Sequence, residues 1–71
     1  MALVSNVCFH DSKLHVRFTD GREIGVPIDR YPRLRDASDE ARNNWRLIGR
    51  GQGIYWEAID EDLSVAGFLR F

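Results

Sequence analysis

The sequence is short of several things, and each shortage excludes something. It has one cysteine, Cys8, which rules out a disulfide framework within the chain and every zinc site that needs two or more thiolates, and fits a reducing compartment. It has two prolines, Pro27 and Pro32, and no Pro- or Ser-rich linker, internal repeat or low-complexity tract that would divide it. It lacks a charge excess: ten Lys+Arg against eleven Asp+Glu give a formal charge of −1, so bulk electrostatics select neither DNA nor an anionic membrane. No apolar run approaches the roughly 18 residues of a membrane span. The opening residues Met1-Ala2-Leu3-Val4-Ser5-Asn6 lack the basic and apolar regions of a signal peptide, so a cytoplasmic location is expected.

What is present describes a folded domain. Hydrophobic residues make up 44% of the chain and charged residues 30%, with two Trp, two Tyr and four Phe, a balance outside the range of disordered tails. The 71 residues are expected to form a single domain, 1–71. A chain of this size buries only about 60% of the surface exposed by its unfolded form, so association with a second copy or another protein would add useful stability. The charge is unevenly spread. Residues 1–29 carry three basic and four acidic groups, residues 30–50 carry six and three, and residues 51–71 carry one and four. Nine of the ten basic residues are Arg, the side chain suited to fork-like contacts with carboxylate or phosphate.

Up to Pro27 the pattern has period two. Leu3, Val7 and Phe9 alternate with Val4, Asn6 and Cys8; Leu14, Val16 and Phe18 alternate with Lys13, His15 and Arg17; Ile24, Val26 and Ile28 alternate with Glu23, Gly25 and Pro27. Three strands forming an antiparallel meander with one buried face are expected. The turns fix the register. A two-residue loop at Asp20-Gly21 would set Phe18 opposite Glu23 and put one strand's apolar set on the wrong face. A three-residue loop Thr19-Asp20-Gly21, with Gly21 left-handed, instead pairs Val16 with Ile24, Leu14 with Val26 and Arg17 with Glu23. A turn at Asp11-Ser12 sets Phe9 opposite Leu14 and Val7 opposite Val16.

Beyond Pro27 the period changes. Leu34, Ala37, Ala41 and Trp45 fall at helical spacing, Pro32 suits a first helical position, and Ser38 followed by Asp39 and Glu40 suits an N-cap. Two short helical pieces are expected, around Pro32 to Asp36 and around Asp39 to Trp45. Arg46-Leu47-Ile48 and Ile54-Tyr55-Trp56 read as short extended stretches joined by a turn at Gly49-Arg50-Gly51-Gln52-Gly53. Leu63, Val65, Phe68 and Leu69 read as a short strand and a final helical turn. The expected class is α+β: a three-stranded antiparallel meander, one or two short helices, and a short C-terminal extended segment.

The chemical motifs are sparse. The glycines at 49, 51 and 53 miss the spacing of a dinucleotide fingerprint, and the Gly-Lys-Ser/Thr of a Walker loop is absent. Cys8, His10 and His15 gather on one hairpin, with Cys8 opposite His15, but no oxyanion hole or third orienting group completes a nucleophilic site. Glu57, Asp60, Glu61 and Asp62 have the oxygens a hard cation prefers without the ligand spacing of a calcium loop. No catalytic residue, metal site or cofactor is therefore expected. Arg30, Arg33, Arg35, Arg42, Arg46 and Arg50, interleaved with Tyr31 and Trp45, would suit a nucleic-acid surface. The nearby Asp36, Asp39 and Glu40 would equally make salt bridges on a solvated helix face.

Several residues carry a family resemblance: Val26-Pro27-Ile28, Tyr31-Pro32-Arg33-Leu34, Ala37, Trp45, Gly53-Ile54-Tyr55-Trp56, and Asp60-Glu61-Asp62-Leu63-Ser64-Val65 with Gly67. Their order and spacing resemble a bacterial and phage family of small proteins catalogued as domain of unknown function 2442. The resemblance spans nearly the whole chain and is most specific from Gly53 to Val65. It implies an α+β domain with a small antiparallel sheet and no established activity. It also implies members encoded beside another small protein in pairs that look like toxin–antitoxin modules, and some members fused to a helix-turn-helix domain. A 71-residue chain is not expected to carry that fusion. Family members often have His where this chain has Tyr55, so a function resting on that imidazole does not follow here.

The expected function is that of a non-catalytic interaction module, antitoxin-like, masking a small basic protein encoded nearby. Its contact residues would be Tyr55 and Trp56 as aromatic anchors with Glu57, Asp60, Glu61 and Asp62 as an acidic patch. The alternative is a nucleic-acid-binding accessory role through Arg33, Arg35, Arg42, Arg46 and Arg50. That ranks lower because no basic excess survives over the whole chain. A homo-oligomer fits either reading.

Overall fold

The computed structural model describes residues 2–68. Strands β1 (Val4–His10), β2 (Lys13–Phe18) and β3 (Glu23–Pro27) form the first sheet, an antiparallel meander in the order β1-β2-β3. A 3-10 turn (Ile28–Arg30) leads to two short helices, α1 (Pro32–Arg35) and α2 (Asp39–Asn43). A second antiparallel sheet follows in the order β4 (Trp45–Ile48), β5 (Gly53–Trp56), β6 (Glu61–Ser64), with a 3-10 turn at Glu57–Ile59 between its last two strands. Helix α3 (Val65–Phe68) comes next. The fold is α+β; Leu69, expected in the final helical turn, lies outside the described residues.

The meander keeps the register that its turn chemistry demands. Val16 faces Ile24, Leu14 faces Val26 and Arg17 faces Glu23, while Phe9 faces Leu14 and Val7 faces Val16. Gly21 has φ +91°, and the Phe18 amide donates to the Arg22 carbonyl across the three-residue loop at 2.8 Å. Asp11 and Ser12 both have positive φ, the geometry of a type I′ hairpin turn, whose twist matches that of the strands it joins. One expectation changes. Pairing shifts between Val4 and Asn6, so Ser5 is the extra residue of a bulge, and Val4 rather than Leu3 enters the core at 1% exposure. Leu3, half-buried, instead uses its carbonyl to accept the Thr19 amide at 2.7 Å.

The second correction concerns Trp45, which belongs to a strand rather than to the helix. Helix α2 stops at Asn43, and Asn44 leaves helical geometry at φ −97°, ψ 62°. Trp45 then pairs with Trp56, Arg46 with Tyr55, Leu47 with Ile54 and Ile48 with Gly53. Its helical distance from Ala41 is overridden because a paired, β-prone aromatic run satisfies more backbone groups than one added turn of a five-residue helix. Ser38 caps α2 as expected, its hydroxyl accepting the Ala41 amide at 3.1 Å.

The inward residues of both sheets meet in one core with Leu34 of α1: Val4, Val7, Leu14, Val16, Phe18 and Val26 from the meander, Ile54 and Trp56 from β5, with Ile28 and Val65 closing it. Trp56 is the largest fully buried side chain. Its ring meets Phe9 edge-on, with centroids 6.3 Å apart, and its indole N–H donates to the Arg42 carbonyl at 2.9 Å. That bond satisfies a carbonyl at the end of α2 that the helix itself cannot pair. The sheets are also joined at the backbone. The Val4 amide donates to the Gly51 carbonyl at 2.8 Å, and Gly51 sits at φ +107°, where an added Cβ would collide with the Val4 carbonyl and lie 2.9 Å from its nitrogen.

Two stability outcomes follow. Trp56→Phe keeps an aromatic ring but loses volume and the indole donor, and should lower unfolding free energy by about 2–4 kcal/mol in a urea titration. Gly51→Ala places a side chain where both φ and the Val4 backbone forbid one. It should cost at least about 1–3 kcal/mol by the same measurement.

Candidate interaction surface

Alternation along β5 sends Ile54 and Trp56 inward and Tyr55 outward, so the outward face of the second sheet consists of two rows. One row is Arg46, Tyr55 and Asp62; the other is Ile48, Gly53 and Ser64. Arg46, Ile48, Asp62 and Ser64 are exposed and Tyr55 is half-buried. The Arg46 guanidinium lies 5.1 Å from the centre of the Tyr55 ring, a cation–π contact. Ile48 is the one large hydrophobic side chain that stands exposed among the described residues, at 41%. Its end lies 3.5 Å from where a Cβ of Gly53 would be, so it leans across the glycine. Sequence reasoning did not single out Ile48. The signal was its place two residues after Arg46 in an extended stretch, which puts both on one face.

The acidic residues surround the β5–β6 connection. Glu57 is exposed in the 3-10 turn, and Asp60 ends that turn in a left-handed conformation at φ 50°. Glu61 stands opposite Trp56 on the inward side of β6, half-buried, and its carboxylate accepts the Asp62 amide at 3.2 Å. Asp62 stands opposite Tyr55 on the outward face. Among the described residues none of these four carboxylates forms a salt bridge; of the other seven, Asp11, Asp20, Glu23, Asp36 and Asp39 each have a basic neighbour within 4.0 Å, and Asp29 and Glu40 have none. Trp56, expected as a contact residue, belongs to the core at 0% exposure and offers nothing to a partner.

The arginines of the middle segment are divided among separate tasks. Arg33 donates to the Asp60 carbonyl at 2.8 Å and so ties α1 to the acidic turn. Arg35 pairs with Asp36 at 2.9 Å. Arg42, half-buried, donates to the Leu34 carbonyl at 2.8 Å, to the Arg35 carbonyl, and to Asp39 at 3.2 Å, closing the unpaired end of α1 with the side chain of α2. Arg46 stacks on Tyr55, and Arg50 is exposed in the glycine-rich turn. That turn, Gly49 to Gln52, joins β4 to β5, with Gly49 and Gly51 both at positive φ.

The outward face of the meander carries Cys8 opposite His15. The His15 Nε2 lies 3.3 Å from the His10 carbonyl, and its Nδ1 lies 3.7 Å from Glu23. Among the described residues no three His, Cys, Asp or Glu side chains converge to hold a metal ion. No helix among them is long and apolar enough to cross a membrane.

Residues 4–71 match the model of the family described as "Protein of unknown function (DUF2442)". The chain belongs to this family. No curated protein matches it. Its fold is similar to a crystal structure of a protein of unknown function from Rhodospirillum rubrum ATCC 11170. The TM-score is 0.82 and the identity 24%, over 97% of this chain and 86% of that one. The likeness shows a shared fold for this DUF2442 chain and no more.

The Arg35–Asp36 pair generates a pH outcome. Hydrogen bonds from Arg35 hold the Asp36 carboxyl below its ordinary value. Because the folded-state value is depressed, the pair's contribution is present above the unfolded-state value and fades as pH falls through the folded one. In Arg35→Met the Asp36 carboxyl should titrate closer to its ordinary value, read by carbon-detected NMR titration; an unmoved titration would show that the pair does not persist in solution.

Proposed function

We infer that this DUF2442 protein is a non-catalytic interaction module of the cytoplasm that binds and masks a small basic protein encoded beside it, as the antitoxin-like member of a two-gene pair. The observation that carries the reading is the contrast in charge pairing. Of the seven carboxylates elsewhere in the chain five have basic neighbours and two, Asp29 and Glu40, do not, while all four of Glu57, Asp60, Glu61 and Asp62 lack one among the described residues. Four acids grouped around one connection, against Arg33, the one cation among the described residues that bonds there, through the Asp60 carbonyl, leave the net negative field that steers a basic protein to a docking site. Tyr55, beside Asp62, supplies the aromatic surface that such interfaces favour. The resemblance of family members to toxin–antitoxin pairs points the same way.

The test is co-expression of the tagged chain with the small protein encoded next to it, followed by purification with nuclease treatment. A one-to-one complex that survives nuclease supports the reading; recovery alone, or only with nucleic acid, overturns it. Within that complex, Glu57→Lys combined with Asp60→Asn should slow association about tenfold or more at low salt and flatten its salt dependence. Asn is chosen at 60 because it tolerates the left-handed backbone there.

A further inference from the structure

The outward face of the second sheet has a charge pattern that a second copy of itself would complement. Neighbouring strands lie about 4.8 Å apart, so Arg46 and Asp62, on the two edge strands, stand roughly 10 Å apart with Tyr55 between them. That separation leaves them unpaired with each other. Among the described residues Arg46 contacts the Tyr55 ring and no carboxylate, and Asp62 pairs with no cation. Ile48, the large hydrophobic side chain left exposed, lies on the same face.

We propose that this face is a self-association surface, on which a second copy stacks about a two-fold axis parallel to β5. Rotation about that axis sets β4 of each copy over β6 of the other. Arg46 of one copy then faces Asp62 of its partner, the complementary pair forms again on the other side, Tyr55 meets Tyr55, and Ile48 covers the row of Gly53 and Ser64. A two-fold axis running across the strands would set Arg46 on Arg46 and Asp62 on Asp62, so the charges select the first axis. Two sheets stacked about 10 Å apart leave a gap that an arginine side chain spans. The interface is isologous and therefore closes at two copies instead of extending into fibres. Three strands of four residues offer less than the about 800 Å² per partner of a standard interface, so the dimer exchanges rapidly and populates at high concentration.

This inference goes beyond the masking role and needs no second protein. The experiment is sedimentation velocity on the full chain, from about 10 µM to 1 mM, at low salt and at about 0.5 M salt. The wild type should shift toward dimer as concentration rises and lose at least about half of that shift at high salt. Arg46→Asp alone and Asp62→Arg alone each bring like charges face to face and should remain monomeric, with circular dichroism confirming an unchanged fold. Mixing the two variants should restore the dimer as a heterodimer, since one copy then presents two acids and the other two bases. A single chain carrying both substitutions should dimerise like the wild type. A wild type that stays monomeric throughout, single variants that dimerise normally, or a mixture that stays monomeric would each overturn the proposal. Asp62 and Tyr55 belong to the masking surface too, but sedimentation reads self-association with no second protein present, so failure here is distinguishable from failure of the masking role.

Discussion

The burial of Trp56 is the constraint on which the two halves of this protein depend. Its ring area, on the order of 200 Å², contributes roughly 5 kcal/mol of apolar burial, a large share of what so short a chain can gather. The position also joins three elements that would not persist separately. The ring belongs to β5, packs edge-on against Phe9 of the meander, and spends its single donor on the last turn of α2. A helix of five residues has no stability of its own in water. Here α2 is held by the Ser38 cap at one end, the indole at the other, and the Arg42 guanidinium reaching back to α1.

The meander was legible in the sequence because two independent restrictions agreed there. Period-two alternation named the inward residues, and the parity of the two turns left a single register that kept Val7, Val16 and Ile24 together. The bulge at Ser5 was not legible, since nothing in Leu3-Val4-Ser5-Asn6 distinguishes a strand that begins one residue out of step. What shifts it is tertiary: the bond from Val4 to Gly51 and the bond from Thr19 to Leu3 pin this segment to partners far along the chain. Trp45 misled for a related reason. Helical spacing from Ala41 and strand spacing to Leu47 are both present in the sequence, and the pairing with Trp56 decides between them. The surface was half legible. Tyr55, Asp62 and Arg46 were named for different reasons, while their arrival in one row depended on a register that only the folded hairpins define.

The two sheets treat their outward charges differently. On the meander, Arg17 and His15 both approach Glu23, and Arg22 folds onto Asp20, so the face largely neutralises itself. On the second sheet opposite charges occupy strands that are not neighbours, and β5 between them supplies a tyrosine rather than a counter-ion. The middle arginines complete the contrast. Arg33 and Arg42 are fasteners, bonded to carbonyls of α1 and of the acidic turn, so part of the positive segment visible in the sequence also holds the fold together. An uneven distribution of charge along a chain becomes a functional surface only where the fold leaves charges without local partners.

The junction between Val4 and Gly51 also sets an order of events during synthesis. The meander is local, with tight hairpins, and can begin to pair as soon as its residues leave the ribosome. Its first strand, however, waits for a backbone partner some forty-seven positions downstream, and its inward valines wait for Ile54 and Trp56. Until those arrive, the nascent sheet presents an apolar face and an incompletely anchored edge to its surroundings, the state in which small β-proteins are most exposed to chaperones, proteases and one another. The second sheet therefore covers the apolar face of the first, and the meander stays incompletely covered until Gly51, Ile54 and Trp56 have joined it.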